Sequence, residues 1–468
     1  MRGAELDAMN DRHETPADAS SPRATGSEPT APFALPRASR YVLRTARVLG
    51  RSLPAPAGPL DFDGFAIVDI LVDEGAIAKI APAGAVDFGD APQVAMSGRI
   101  VLPLFVDVHT HIDKGHIWRR KRNPIGDFPS ALKVTIEDRT ANWTAADVAA
   151  RMEFSLRCAH AHGTTALRTH IDSVGPQTRI SWPVLAEARE RWRGRIELQA
   201  SPLFSVEFAL DDSHMADIEA MLDAHGTGIL GAVTYMVPRL SEGLTRLFEL
   251  AERKSWELDF HVDESADPAA RSLKVVAEMA IERRFERRIL VGHCCSLALQ
   301  EDDERRKTID AVARAGLSVV SLPMCNMFLQ DREPGRTPRW RGVTALHELK
   351  RAGVRVMIAS DNTRDPFYPY GDLDMMETWR EGVRILHLDY PFADWALAVS
   401  AVPGQAMGLD LGHLRPGGRA DMILTRARDF PELLARPQAD RIVVRNGEAS
   451  NAAPPDYSEL DALLGLAP

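Results

Sequence analysis

Little in this chain marks it as secreted, membrane-bound or nucleic-acid-binding. Only four cysteines occur in 468 residues, Cys158, Cys294, Cys295 and Cys325, and their spacing fits neither a disulfide framework nor a zinc ribbon. They are read as reduced, buried small residues, which agrees with a cytoplasmic location. No apolar run reaches about 18 residues, so no transmembrane helix and no membrane partner is expected. A basic start followed by an apolar stretch is missing from the N-terminus, so no secretory signal is expected. Positive charge is not in excess: 56 Lys and Arg face 66 Asp and Glu, a net charge of −10 that argues against nucleic acid. No internal repeat is visible. A hydrophobic content of 45% and a charged content of 26% remain, ordinary values for a soluble globular protein long enough for one large barrel and a smaller domain.

The pattern along the chain changes four times. Residues 1–39 are rich in Ala, Pro, Ser, Thr and acids without apolar periodicity, and read as a disordered extension. Residues 40–100 carry short strands, with Asp73-Glu74-Gly75 as a turn. From 101 to 405, β-runs alternate with amphipathic helical segments such as Ala145 to His162, as β/α units require. Residues 406–450 return to strands, with Asn446-Gly447 as a turn, and 451–468 form a C-terminal tail. The expected fold is α/β: a distorted (β/α)8 TIM barrel over 101–405, flanked by a composite β-sandwich built from 40–100 and 406–450.

The densest chemical signal is Val106-Asp107-Val108-His109-Thr110-His111, at the end of the apolar run Ile100 to Val106. A strand repeats every two residues, so His109 and His111 point to one face and make half of a divalent-metal site. Other strands end on suitable partners: Phe260-His261-Val262-Asp263-Glu264, Val291-Gly292-His293, and Val354 to Asn362, which carries Asp361. In a (β/α)8 barrel those strand ends converge on one mouth.

The order of these motifs resembles the amidohydrolase superfamily and, within it, the cytosine deaminase branch, over roughly residues 40 to 450. The resemblance rests on His109-Thr110-His111, Arg168-Thr169-His170-Ile171-Asp172, His261-Val262-Asp263-Glu264, Gly292-His293 and the stretch from Ser360 to Pro369. Asn326-Met327-Phe328-Leu329-Gln330 and Gly417-Gly418-Arg419-Ala420-Asp421 add to it. It implies one divalent metal per chain, Zn2+ or Fe2+, with His109, His111 and His261 as neutral imidazole ligands and Asp361 as the carboxylate. Three His and one Asp also suit Mn(II), so the donor set does not choose the metal. A metal lowers the pKa of its water toward neutrality, and the implied reaction is hydroxide addition to a C=N carbon with loss of ammonia. Glu264 is the candidate proton shuttle and His293 the group that holds the hydroxide, while Asp361 is both ligand and alternative base. His170 and Asp172 are read as structural or supporting. Dinuclear members of the superfamily place a bridging Lys or Glu at the end of the fourth strand; the matching stretch here, Ile229 to Pro238, has neither, which favours one metal.

Departures from the cytosine pattern concern the substrate. Ser205 stands near the position of a pyrimidine-contacting glutamine, Asn362 replaces an aspartate, and Phe367 replaces a tryptophan. An amide donates where a carboxylate only accepts, so a different hydrogen-bond pattern on the ring is expected. Lys114 follows the metal histidines closely enough to reach substrate, Trp118 is a candidate for stacking or for packing, and Asn326 and Gln330 are further binding candidates. Arg119 to Arg122 form either an anion site or a solvated loop. Pyrimidine, purine, pterin, triazine and creatinine-like rings all remain open. The alternative function is a metal-dependent hydrolase of a cyclic amide, N-acyl or ester bond, which ammonia release distinguishes. A small-molecule substrate and a homo-oligomer complete the expectation.

Overall fold

The computed structural model describes residues 34–465. Most of the extension expected over 1–39 therefore lies outside the described residues. The chain begins with β1 (Arg40–Leu49), β2 (Phe65–Asp73), β3 (Ala76–Pro82), β4 (Gln93–Ala95) and β5 (Ile100–Pro103). Eight strands follow: β6 (Phe105–Thr110), β7 (Thr164–Asp172), β8 (Glu197–Leu203), β9 (Ile229–Thr234), β10 (Glu257–Val262), β11 (Ile289–His293), β12 (Ser318–Ser321) and β13 (Arg355–Ile358). The chain closes with β14 (Met422–Leu424), β15 (Ile442–Arg445) and β16 (Glu448–Ala449).

The first five strands and the last three join in one sheet of order β16-β15-β14-β5-β1-β2-β3, with β4 pairing on β1. The turns are legible in the sequence. Glu74 and Gly75 take φ of 47° and 79°, and Asn446 and Gly447 take 49° and 78°, the double left-handed geometry that two-residue hairpin turns require.

The apolar run before His109 is not one strand. Ile100–Pro103 pairs with β1 and antiparallel with β14, and belongs to the end sheet; β6 starts afresh at Phe105 and pairs parallel with β7. The end sheet thus runs through Pro103, past residue 100. Periodicity cannot see this change of partners, because both strands are buried along their whole length.

The eight middle strands form two parallel arcs, β6-β7-β8 and β13-β12-β11-β10-β9. Isolated parallel bridges link Ser205 to Val233 and Thr110 to Asp361, one at each junction of the arcs. Covered by helices, these strands are buried nearly throughout, and their buried residues include polar ones such as Asp107, Arg168 and Asp259 beside the apolar ones. Helices fill the connections: α1 (Phe128–Asn142) and α2 (Ala145–Ala161) follow β6, α3 (Pro176–Trp192) follows β7, α4 (Asp212–His225) follows β8 and α5 (Leu240–Lys254) follows β9. Asp127 caps α1 by accepting from the Ser130 amide, and Thr144 caps α2 through Asp147. Past β16 the tail folds back: Leu460 and Leu464 are buried, and the Tyr457 hydroxyl donates to Asp372 at 2.8 Å.

Candidate active site

The polar residues at the strand ends meet in one buried cluster. His261 Nε2 lies 3.2 Å from His111 Nε2, and Asp361 Oδ1 lies 3.2 Å from His111 Nε2 and 3.6 Å from His109 Nε2. Ligands about 2.0–2.2 Å from a tetrahedral ion stand roughly 3.3–3.6 Å apart, so the spacing fits four donors around one cation. His109 Nε2 is buried without a hydrogen-bond partner, as a lone pair awaiting a metal would be. His109, His111 and His261 are all held well below the usual imidazole range, chiefly by burial and then by neighbouring positive groups. They are therefore neutral, the form that ligates. The donor set fits a divalent transition ion.

The backbone around the cluster is unusual. Asp263, His293 and Asp361 take positive φ of 45°, 68° and 66°, a region that non-glycine residues seldom enter. Such outliers persist where surrounding structure fixes them, and they concentrate at functional sites. Asp361 was expected to close a strand; it stands three residues past β13, turned by this left-handed conformation beside Thr110. At Gly292 a Cβ would lie 2.8 Å from His109 Cε1, so glycine leaves room for that ring.

A second layer of contacts surrounds the cluster. His170 Nε2 lies 3.1 Å from His109 Nδ1. Glu264 Oε1 accepts from Asn326 Nδ2 at 3.1 Å, and the same amide nitrogen lies 3.0 Å from His293 Nδ1. With Asn326 donating to Nδ1, the proton of neutral His293 resides on Nε2. Burial pushes His293 down to about 3, and burial together with the nearby Asp361 carboxylate raises Glu264 well above the usual range. Asp361 is also raised, mainly by burial.

A cavity of about 300 Å³ opens beside the cluster. His111, Lys114, Ser205, His261, Glu264, His293, Asn362 and Phe367 all line it. Asn326 and Gln330 do not: Asn326 is spent on Glu264 and His293, and Gln330 packs behind, against Gly342. Trp118 lines a separate small pocket with His116, Arg119, Arg364 and Tyr457. His116, at φ 64°, turns the chain away, and the Trp118 amide donates to Arg364 O at 2.8 Å. Three residues of the basic run are paired: Arg119 with Asp461, Arg120 with Asp138 and Asp147, and Lys121 with Glu137.

Several wall residues were not read from the sequence as substrate contacts. Asp172 reaches the cavity and pairs with both Lys114 and Arg139. Strand alternation carried this signal, since Arg168, His170 and Asp172 share one face of β7. Arg139, Phe128, Leu132 and Ile136 come from α1, and Phe204 and Tyr235 from the ends of β8 and β9; nothing local distinguishes them from packing residues.

Fold and site together define a TIM-barrel-like α/β protein with a His/Asp cluster suited to a divalent metal. Residues 217–449 match the profile of the Amidohydrolase family. A pterin deaminase of Rhizobium rhizogenes (strain K84) is 48% identical over 92% of this chain and 98% of its own length. The chain belongs to the amidohydrolase family. The N-isopropylammelide isopropyl amidohydrolase of Pseudomonas sp. (strain ADP) is 24% identical over 76% of this chain and 87% of its own. Among solved structures, the 5-methylcytosine deaminase of Klebsiella pneumoniae superposes with a TM-score of 0.75 at 22% identity, covering 89% of this chain and 98% of that one. This last likeness bears on the fold alone.

Proposed function

We propose that this protein is a metal-dependent hydrolytic deaminase of a nitrogen heterocycle, and that a pterin is the substrate class it serves. The 48% identity to a pterin deaminase over 92% of this chain carries the reading. We also read the two parallel arcs as one distorted (β/α)8 barrel from β6 to residue 405, joined through the Ser205–Val233 and Thr110–Asp361 bridges, with the composite β-domain of 40–103 and 406–450 beside it and the described tail to residue 465 folded back.

His109, His111, His261 and Asp361 would hold a single Zn2+ or Fe2+; β9, the fourth barrel strand in this reading, offers no Lys or Glu to bridge a second ion. When bound, such an ion supplies Lewis acidity and makes water a better nucleophile near neutral pH. The chain's own groups do the rest. Neutral His293 offers its Nε2 proton as a donor to the attacking oxygen. Glu264, whose carboxyl is raised by burial and by the nearby Asp361 carboxylate, is the proton shuttle: it takes one proton from the water, passes it to a ring nitrogen, and returns the second to the departing amine. One water is consumed, one C–N bond breaks, a carbonyl forms and ammonia leaves. Phe128, Phe204 and Phe367 give the cavity apolar walls that suit a flat ring, while Lys114, Ser205 and Asn362 provide polar contacts to its edge.

The test is ammonia release by metal-replete protein across a panel holding pterin, cytosine, 5-methylcytosine, guanine, isoguanine, creatinine and aminotriazines. Release from pterin at the highest kcat/KM is expected. Silence across the panel, with one metal bound per chain, rejects the deaminase in favour of a hydrolase of a cyclic amide, N-acyl or ester bond.

A further inference from the structure

Lys114 brings a charged group into the cavity wall while only 4% exposed. Its Nζ lies 2.6 Å from Asp172 Oδ1 and 5.5 Å from the centre of the Phe367 ring. Asp172 is itself fixed: Oδ2 accepts from Arg139 Nη1 at 2.9 Å, and its amide donates to Asp113 Oδ2 at 2.8 Å. The ammonium is thus anchored from one side. An ammonium has three donors, and Asp172 provides the one carboxylate within ion-pair distance among the described residues. A buried donor left unmet is costly, so the remaining N–H groups call for an acceptor in the cavity. Asp172, Asp113 and Asp365 already supply negative charge around Lys114, so the acceptor that fits is a neutral oxygen rather than a further carboxylate. Phe367 beneath the ammonium keeps that oxygen in the plane of a stacked ring.

We propose that Lys114, clamped by Asp172 and Arg139, is the specificity group that reads a ring oxo oxygen, so that the preferred substrates are heterocycles whose amidine is flanked by a carbonyl. The inference rests on the deaminase reading and names the edge of the ring that the site recognises. Asp172 and Arg139 act as positioning residues.

The experiment compares kcat/KM for 2-amino-4-oxopteridine with that for 2-aminopteridine, which lacks the oxygen. Wild-type protein should prefer the oxo ring on the order of 100-fold, the scale of a hydrogen bond to a charged group. In Lys114→Met the ratio should collapse toward one, with metal content retained, and Lys114→Arg should restore part of it. Asp172→Asn should raise KM for the oxo ring more than it lowers kcat. A wild-type ratio near one overturns the proposal without any variant. So does a Lys114→Met protein that loses both rates in equal proportion. Absence of ammonia from every heterocycle overturns the deaminase reading instead, and the two failures are told apart by whether wild-type protein deaminates any ring.

Discussion

On β7, Arg168 and His170 stand two residues apart on one face, yet they are treated differently. Arg168 has every guanidinium nitrogen bonded: Nε and Nη2 to Gln199 at 3.1 and 2.7 Å, Nη1 to Asp259 at 3.0 Å, and Nη2 also to Glu257 at 3.2 Å. The contrast repeats on β6, where Asp107 receives both the amide and the hydroxyl of Ser360 while His109 Nε2 has no partner. On β10 Asp259 is paired with Arg168, and His261 faces the other imidazoles. Toward the strand starts, Arg168, Asp107 and one oxygen of Asp259 are held by other protein groups. Toward the strand ends, buried polar groups converge with capacity to spare. In barrels the first kind of polarity holds the fold and the second kind acts on a ligand.

The strongest way to break this comparison is at the spare end. His261→Ala should lose tightly bound metal and reduce ammonia release to background, because it removes one of the four donors gathered around the ion and leaves the other three without the geometry they were placed for. Metal analysis after dialysis checks it; stoichiometric retention removes His261 from the ligand set. Glu264→Gln should lower kcat by about 10²–10⁴-fold with metal content intact, since the ligands remain and only proton transfer is lost. Turnover at the wild-type rate removes Glu264 from that role.

The paired end should fail in the opposite way. Arg168→Met leaves the Asp259 carboxylate buried without its cation, a change that costs about 3–5 kcal/mol of stability. Thermal unfolding should fall by several degrees, while the folded fraction keeps its metal and its KM. A specific loss of kcat at unchanged stability would make Arg168 part of the chemistry.

The spare end was the more legible of the two in the sequence. His109 and His261 sit inside strands and His111 stands one residue past β6, so alternation and a strand terminus were enough to bring them to one mouth. Glu264 and Asp361 were found through motifs, although Asp361 reaches the cluster through a left-handed turn and not by ending a strand. Arg168 and Asp259 are 91 residues apart, and their pairing depends on arcs that only the folded chain brings together. The Lys114–Asp172–Arg139 wall was half visible for the same reason: Lys114 lies in a loop beside the histidines, but its partners arrive from β7 and α1. Trp118 stayed open between stacking and packing in the sequence because a loop's direction is set by single φ angles, here that of His116, and not by spacing.

His170 lies between the two ends and sharpens the boundary. Its Nε2 meets His109 Nδ1 at 3.1 Å, and it is 3.8 Å from Asp259 Oδ1, so it connects the paired network to the cluster. His170→Ala should weaken metal binding by about 10–100-fold through the lost orientation of His109, with the remaining activity restored by added metal. Activity that stays low at saturating metal would place His170 against the substrate instead.

The smallest effect is expected at Trp118. Its ring belongs to the pocket shared with Arg364 and Tyr457, outside the cavity. Trp118→Ala should remove packing between the loop after β6 and the C-terminal tail, and so lower the stability by an amount typical of a half-buried aromatic, about 1–3 kcal/mol, read from denaturant unfolding. KM for the heterocycle should stay within about twofold, because no uniform binding is removed. A rise in KM of tenfold or more, without loss of stability, would extend the substrate site beyond the cavity and redraw the division between groups that bind and groups that hold.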